Sequence, residues 1–449
     1  MGNMENSVKP HENKMGTMPM TRLILTMSLP AIFSMTIQAM YNVVDSIFIG
    51  NYDADGLTAT SLAYPLQMLL IAFAAGTAVG VNSFVSRKLG EKNFVQANDG
   101  ATHGFVTCIF NYVIFLLLGL FAVRPFMAMY TQNEAIVNYG IQYLTVVLCF
   151  SFFSIVQIMV EKTLQATGNM IAPMWFQIAG VVFNFVFDPL LIFGIGPFPK
   201  MGVVGAAVAT VLGYVVSTII ALIQLFLTKQ KVKPVFKNCL EPQMIKLIFS
   251  YGLPSFVMNA LGAFTVNFAN MFLVRYSDTA VAFFGAYFKV QQLIFMTVNG
   301  LIQGCLPIMR FNYRAKEYGR LKQANKSGTI IATVMMIVGM LLVLIFPKEI
   351  LFLFSASEEM CAFGVPAMRI MSLGFVFSGF SAMIATYEQA TDSIMPGVVV
   401  QLLRQGVLLV PVIWLLNSAV QMTGIWLAFP ITEFVTFLVA VVFAKIKNH

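Results

Sequence analysis

The chain has 449 residues, of which 58% are hydrophobic and 10% are charged, and its mean hydropathy is +0.81. Soluble domains carry roughly 25% charged residues, so this composition excludes a water-soluble protein. The formal net charge of +8 does not indicate a nucleic-acid partner, because the basic residues of membrane proteins collect in cytoplasmic loops and set the orientation.

Apolar segments long enough to span a bilayer, roughly 20 residues each, follow one another along the whole chain. Lipid offers the backbone no hydrogen-bond partners, so segments this long and continuously apolar predict helices. The expected fold class is an all-α integral membrane protein with twelve transmembrane helices. The predicted spans are 23–50, 58–86, 101–123, 135–164, 171–193, 203–228, 244–275, 280–309, 328–347, 360–388, 396–418 and 423–445.

The distribution of Lys and Arg predicts the side of the membrane that each loop faces. With the N-terminus inside, twenty of the 27 basic residues fall on the inner side and four fall in outer loops. This bias predicts cytoplasmic N- and C-termini. We predict a cytoplasmic tail over 1–22, a first lobe over 23–228 (helices 1–6), a basic cytoplasmic linker over 229–243 and a second lobe over 244–449 (helices 7–12).

An internal repeat relates the two halves of the chain. Leu29-Pro30 recurs as Leu253-Pro254, and Gln165-Ala166-Thr167 recurs as Gln389-Ala390-Thr391, both at an offset of 224 residues. Each half holds six predicted spans, an even number, so both halves enter the membrane in the same direction. Transporters built from parallel repeats commonly place the transport pathway between them.

Two acidic residues lie inside predicted spans of the first half, Asp45 in helix 1 and Asp188 in helix 5. Ionisable groups in a bilayer are costly and are functional candidates by default. Asn184 lies one turn before Asp188 on the same helical face, and Thr210 of helix 6 falls at a comparable depth. These oxygen ligands suit Na⁺, and without Na⁺ the same cluster can carry a proton. The alternative is a pair of aspartates with purely structural hydrogen bonds at helix ends.

The repeat favours a coupling site in the first half. The positions equivalent to Asp45 and Asp188 hold Asn270 and Pro411 in the second half. A structural role should survive duplication in both copies, whereas a coupling site needs only one copy. Pro30 removes a backbone hydrogen bond inside helix 1 and predicts a kink, which can couple Asp45 to helix bending; prolines without such a role are also common in membrane helices.

Other charged residues lie inside or near predicted spans. We expect the pair Glu161-Lys162 and Glu388, close to helix ends, to be interfacial or loop charges. The second half carries four charged residues within its spans, which are candidate cavity or gating charges: Lys289, Arg369, Arg404 and Glu433. The interpretation that we favour for Glu433 is a structural pairing with one of these three bases.

Three sequence runs resemble motifs of the multidrug and toxic compound extrusion (MATE) family: YNVVDSIFIG at 41–50, NFVFDPLLIFG at 184–194 and GAAVAT at 205–210. With the duplicated Gln-Ala-Thr element, the resemblance covers essentially the whole chain. It implies two six-helix bundles that face each other in a V, and export driven by Na⁺ or H⁺. It also implies that five residues match the cation site of the DinF-like branch: Pro30, Asp45, Asn184, Asp188 and Thr210. The NorM-like branch also uses an acidic residue in helix 7, and this chain has none between Tyr251 and Arg275.

The predicted function is a Na⁺- or H⁺-coupled antiporter that exports small amphipathic, often cationic compounds, which is multidrug efflux. We expect a monomer in the plasma (inner) membrane that contacts lipid and a small-molecule substrate, with no nucleic-acid partner, no resident metal and no cofactor beyond the coupling ion. We also expect no enzymatic activity, since the three histidines are scattered and no nucleophile elbow is present. The nearest alternative is a flippase for lipid-linked saccharides from the same superfamily, and a membrane enzyme or receptor is a more distant one.

Overall fold

The computed structural model describes residues 14–129, 133–235, 241–273, 275–353, 358–391 and 394–447, and within these ranges the chain forms helices and no strand. The first half contains α1 (Lys14–Thr17), α2 (Met20–Tyr52), α3 (Ala54–Gly90), α4 (Phe94–Phe121), α5 (Val123–Ala128), α6 (Glu134–Cys149), α7 (Ser151–Ala166), α8 (Ile171–Phe193) and α9 (Val203–Leu227). The second half contains α10 (Pro242–Leu273), α11 (Asp278–Arg314), α12 (Tyr318–Ile345), α13 (Pro347–Leu353), α14 (Glu358–Ser372), α15 (Phe375–Ala390), α16 (Ile394–Leu402), a π-helix (Leu403–Val407) and α17 (Leu409–Lys447).

The predicted all-α membrane fold is confirmed. Within the described ranges, ten helical stretches are long and apolar enough to cross a membrane, or eleven when α6 and α7, bent by 48°, count as one span. The difference from twelve lies near the end of the chain. The backbone leaves helical geometry at Val420 and Gln421 inside α17, and the predicted spans 396–418 and 423–445 lie on either side of this break.

The outer surface of the helices is apolar. Phe121, Trp175 and Trp414 are 75%, 61% and 62% exposed, and many further large apolar side chains are about half exposed. Monomeric soluble proteins rarely expose contiguous apolar patches of this kind. The protein is therefore a multi-pass membrane protein, with these side chains facing lipid.

Residues 14–19 form a short packed segment that precedes α2. Met15 is fully buried in the apolar core of the second half, and its carbonyl oxygen accepts hydrogen bonds from Asn312 Nδ2 (3.0 Å) and Arg320 Nη2 (3.2 Å). Burial, and then the nearby Lys231, lower the pKa of the Lys14 ammonium group. Part of the predicted tail over 1–22 thus packs at the end of the bundle where the loops after α3, α9 and α11 meet, which we call the basic end.

Two close helix crossings join the halves. α3 crosses α10 at Gly80, where an added Cβ would overlap the carbonyl oxygen of Ile248, and α11 crosses α2 at Gly304, where an added Cβ would lie 2.9 Å from the Ser28 Cα. Gly80 and Gly304 are 224 residues apart, which is the offset of the repeat. The crossings are therefore copies of one contact, as expected for parallel repeats related by an axis along the membrane normal.

The break inside α17 has a counterpart in the first half. Gln421 adopts φ 52° and ψ −138°, and Gly202, between α8 and α9, adopts φ 58° and ψ −132°. Both residues lie between the fifth and sixth predicted spans of their halves. This backbone conformation costs little for glycine but strains a residue that has a Cβ.

We expect Gln421→Gly to stabilise the protein by about 1 kcal/mol, because it removes this strain at an exposed position. The measurement is thermal unfolding of the purified protein in detergent. Gly202→Gln is the matched reverse change and should lower the melting temperature, since its Cβ would also lie 2.7 Å from the Tyr52 hydroxyl. A melting temperature of Gln421→Gly at or below that of the wild type would contradict the prediction.

Candidate cation site and central cavity

Asp45 and Asp188 meet between α2 and α8, in the parts of these helices that lie away from the basic end. Their carboxyl groups are within hydrogen-bond distance of each other, and Asp188 is 1% exposed. Two buried carboxylates this close repel each other unless a proton or a cation lies between them. The pair is thus suited to taking up and releasing one positive charge.

Asn184 and Thr210 lie beside this pair. Asn184 precedes Asp188 by one helical turn, so both side chains project from the same face of α8. The Asn184 Nδ2 group donates a hydrogen bond to Thr210 Oγ1 of α9 over 3.3 Å. The structure therefore brings together Asp45, Asn184, Asp188 and Thr210, the four predicted cation ligands, in what we call the cation cluster.

Three buried oxygen atoms of the cation cluster have no hydrogen-bond partner in the described structure. They are the Oδ1 atoms of Asp45, Asn184 and Asp188. Buried polar atoms in native proteins are normally paired, so three unpaired oxygens in one place are candidate ligands. Na⁺ takes several oxygen ligands, whereas a proton would join the two carboxylates only.

Tyr143 of α6 is a neighbour of the cluster that the sequence did not predict. It is buried and interacts electrostatically with both Asp45 and Asp188, and its hydroxyl accepts a hydrogen bond from Gln67 Nε2 at 3.0 Å. A tyrosine in an apolar span usually indicates packing, and only the positions of the two acids relative to α6 reveal that Tyr143 lies near them.

Pro30 lies inside α2, which continues through it as a single helix. It falls between Ser28 and Ile32, the residues of α2 that face the crossing with α11. Its role as a kink stays a prediction. The side chain of Asn270, the counterpart of Asp45 in the repeat, lies outside the described part of the chain.

A central cavity of about 360 Å³ is lined by residues from both halves. Asn184 and Thr210 line it as well, so the cation cluster adjoins the cavity. Carboxamide groups alternate with apolar groups such as Phe295, a combination that suits an amphipathic ligand. Six of the carboxamide residues are Gln38, Asn82, Gln157, Gln177, Asn299 and Gln303.

Glu161 and Lys162 line this cavity and are 5% and 8% exposed, so the expectation that they are interfacial or loop charges is wrong. The Lys162 ammonium group donates three hydrogen bonds, to the Oε1 atoms of Glu161 (2.8 Å), Gln165 (3.1 Å) and Gln303 (2.8 Å). The Glu161 carboxylate also accepts hydrogen bonds from Gln165 and Gln177. The expectation failed because the last two turns of α7 are buried against other helices, with Gln303 of α11 beside Lys162.

Further polar side chains connect the halves between the cavity and the basic end. Arg310 of α11 is fully buried, and its Nη1 group donates to Asn82 Oδ1 of α3 at 2.9 Å. The Arg87 guanidinium of α3 lies 4.0 Å from the centre of the Tyr251 ring of α10. Glu388 is 1% exposed, so the expectation that it is an interfacial or loop charge is also wrong. Hydropathy assigned Arg87 and Arg310 to inner loops because the apolar segments end just before them. The helices α3 and α11 continue past these segments and include both residues.

The four charged candidates of the second half separate into two groups. Arg404 lines the cavity, and its Nε group donates to Glu433 Oε1 at 2.9 Å. Lys289 and Arg369 are exposed, and Arg369 Nε donates to the Leu344 carbonyl at 3.3 Å. The structure thus brings Arg404 and Glu433 together beside the cavity and leaves the other two on the helix surface.

A sequence model of the MatE family matches residues 30–190 and 254–415. The chain belongs to the MatE family. The two matched segments correspond to the two halves of the internal repeat. Since MatE proteins are membrane transporters, the prediction that the chain is not an enzyme is confirmed.

MatE relatives match almost the whole chain. The multidrug export protein MepA of Staphylococcus haemolyticus (strain JCSC1435) is 25% identical over 431 residues, which cover 95% of this chain and 94% of that protein. MepA of Staphylococcus aureus (strain bovine RF122 / ET3-1) is 25% identical over 418 residues, with 92% and 91% covered. A structure of the outward-facing conformation of a multidrug resistance MATE family transporter of the MOP superfamily matches with a TM-score of 0.91 at 22% identity and covers 97% of both chains. This likeness confirms the fold.

Proposed function

We propose that this protein is a plasma-membrane antiporter that exports small amphipathic, often cationic compounds in exchange for Na⁺ or H⁺. The observation that carries the proposal is that Asn184 and Thr210 belong to the cation cluster and also line the cavity. A cation in the cluster and a substrate in the cavity therefore act on the same two side chains. Ligands that share residues alter each other's affinity, and this coupling is reciprocal. The relatives named as multidrug export proteins support the direction of transport.

In the proposed cycle, an external cation binds to Asp45 and Asp188 and removes their mutual repulsion. The halves then reorient, the cavity opens to the cytoplasm, and a substrate binds among the carboxamide groups. Its contacts with Asn184 and Thr210 weaken the binding of the cation, which leaves to the cytoplasm. Each monovalent cation that moves inward supplies about 2.3 kcal/mol per 100 mV of membrane potential.

The proposal includes an orientation and an oligomeric state. The excess of Lys and Arg at the basic end supports a cytoplasmic position of that end and of both termini. One chain contains the cation cluster and both walls of the cavity, so a monomer is sufficient for transport. The lack of an acid between Tyr251 and Arg275 disfavours a NorM-type site and supports a DinF-like one as part of the proposal.

The experiment is efflux of a fluorescent organic cation from proteoliposomes, with a Na⁺ gradient and a pH gradient imposed separately. We expect dye to move against its own gradient when one of the two ion gradients is present, and to equilibrate passively when both are collapsed. Dye movement that is identical with and without ion gradients would contradict antiport. Flipping of a lipid-linked saccharide in the same vesicles, without gradient-driven dye movement, would support the flippase alternative.

A further inference from the structure

The charged side chains that line the central cavity are not equally available to a ligand. Three of them are described there: Glu161, Lys162 and Arg404. An ammonium group has three N–H donors, and those of Lys162 are all used in bonds to Glu161, Gln165 and Gln303. The Glu161 carboxylate accepts from Lys162, Gln165 and Gln177. Both groups are therefore engaged in hydrogen bonds within the cavity wall.

Arg404 differs from these two residues. A guanidinium has five N–H donors in a planar fork, and within the described part of the chain its one hydrogen bond is from Nε to Glu433 Oε1. The side chain is 11% exposed, and it lines the cavity. Its terminal Nη groups thus remain available to a ligand.

Two features hold this guanidinium in place. Phe295 lies against it, with the ring centre 5.0 Å from the Arg404 Cζ, and the ring is itself packed edge-on against Phe375 at 5.6 Å. Arg404 also belongs to the π-helix Leu403–Val407, and π-helical turns are rare and frequently occur at functional sites. The Arg404 guanidinium is therefore held at Nε by the Glu433 carboxylate and supported by the Phe295 ring.

From this geometry we infer that Arg404 and Phe295 form a subsite for a carboxylate group of the substrate. The planar fork binds a carboxylate through two parallel N–H···O bonds, and the Phe295 ring offers a surface for an adjacent aromatic group. The ligand of this subsite is an amphiphile whose carboxylate lies beside an aromatic group. This inference rests on the proposed export function for its physiological meaning, but it concerns binding and is testable without transport.

Glu433 is the positioning residue of this subsite. Its Oε1 atom holds Arg404 Nε, while its Oε2 atom has no hydrogen-bond partner in the described structure. Its negative charge stabilises the guanidinium but also opposes the approach of a second carboxylate. Glu433→Gln keeps a hydrogen-bond acceptor for Arg404 Nε and removes this repulsion.

The test uses a rhodamine dye with a free carboxylate and the methyl ester of the same dye, which differ only in this group. Binding of each dye to the purified protein in detergent is followed by fluorescence anisotropy. We expect Arg404→Gln to weaken binding of the acid by about tenfold or more, the value of a charge-assisted hydrogen bond, and to leave the ester within about twofold. Arg404→Lys keeps the charge without the fork and should give an intermediate loss, and Glu433→Gln should tighten the acid selectively. Arg369→Gln, which removes an exposed arginine outside the cavity, is the matched control.

Several outcomes would overturn the subsite. Equal weakening of both dyes by Arg404→Gln would make Arg404 a structural partner of Glu433 only. Unchanged binding of the acid in Arg404→Gln, or a wild-type protein that binds the ester alone, would exclude a carboxylate at this place. If gradient-driven efflux fails while the difference between acid and ester persists in binding, the export proposal is wrong and the subsite stands.

Discussion

Replacement of either buried acid of the cation cluster should reduce dye efflux to the rate of passive leak. Asp45→Asn and Asp188→Asn each keep the shape of the side chain but remove the charge that attracts a cation. The variants also eliminate the repulsion between the two carboxylates, which in the proposed cycle makes the empty cluster different from the loaded one. The measurement is gradient-driven efflux of a fluorescent cation from proteoliposomes, with equal amounts of folded protein verified by size-exclusion chromatography.

Asp53→Asn is the matched control for these variants. Asp53 belongs to the same half, but it caps the start of α3, where it accepts hydrogen bonds from the Asp55 backbone N–H (2.8 Å) and the Tyr139 hydroxyl (2.9 Å). These bonds hold the pKa of Asp53 below its usual range, which favours the charged form at neutral pH. We expect near wild-type efflux from Asp53→Asn. Wild-type efflux from Asp45→Asn and Asp188→Asn as well would remove the cation cluster from the mechanism.

The second large effect is expected at the crossings between the halves. An alanine at Gly80 would place its Cβ on the carbonyl oxygen of Ile248, and one at Gly304 would collide with Ser28. Backbone cannot move aside as a flexible side chain can, so α3 and α10, or α11 and α2, must separate. We expect Gly80→Ala and Gly304→Ala each to destabilise the protein by about 2–3 kcal/mol, measured by thermal unfolding in detergent, with loss of efflux.

Gly319→Ala serves as the control for the glycine variants. Gly319 lies in the first turn of α12 and is exposed, and nothing lies within 4 Å of an added Cβ. Alanine is the better helix former, so this change should be neutral or stabilising by up to about 1 kcal/mol. If Gly80→Ala and Gly304→Ala behave like Gly319→Ala, the halves are not in close contact at these crossings.

Much of the fold was predictable because hydropathy and helix length are local properties of the chain. Each of the twelve predicted spans overlaps described helix, and the repeat predicted the equivalence that Gly80 and Gly304 display in the two crossings. The break at Gln421 was also predicted as a boundary between spans. Its strained backbone was not predicted, since glutamine carries no local signal for a positive φ.

The site was predictable only in part. The helical period predicted that Asn184 and Asp188 share one face of their helix. Asp45 was added to the site because its predicted depth matched that of Asp188. Glu161 and Lys162 were assigned wrongly, since a position near a helix end in the sequence does not reveal that another helix buries the side chain. The pairing of Arg404 with Glu433 was the favoured interpretation, but the place of Arg404 on the cavity wall depends on how helices from both halves pack together.

The two glycine crossings have a consequence for how the protein can move. Two points of close backbone contact define a straight line through the molecule, and a rotation of one half about this line preserves both contacts. Sliding of one half along the line would displace both contacts. A rotation about this line is therefore the relative motion that fits the proposed cycle and keeps both crossings, and its amplitude grows with distance from the line. Asp45 and Asp188, which lie beyond the crossings and away from the basic end, are in the region where a small rotation gives a large displacement.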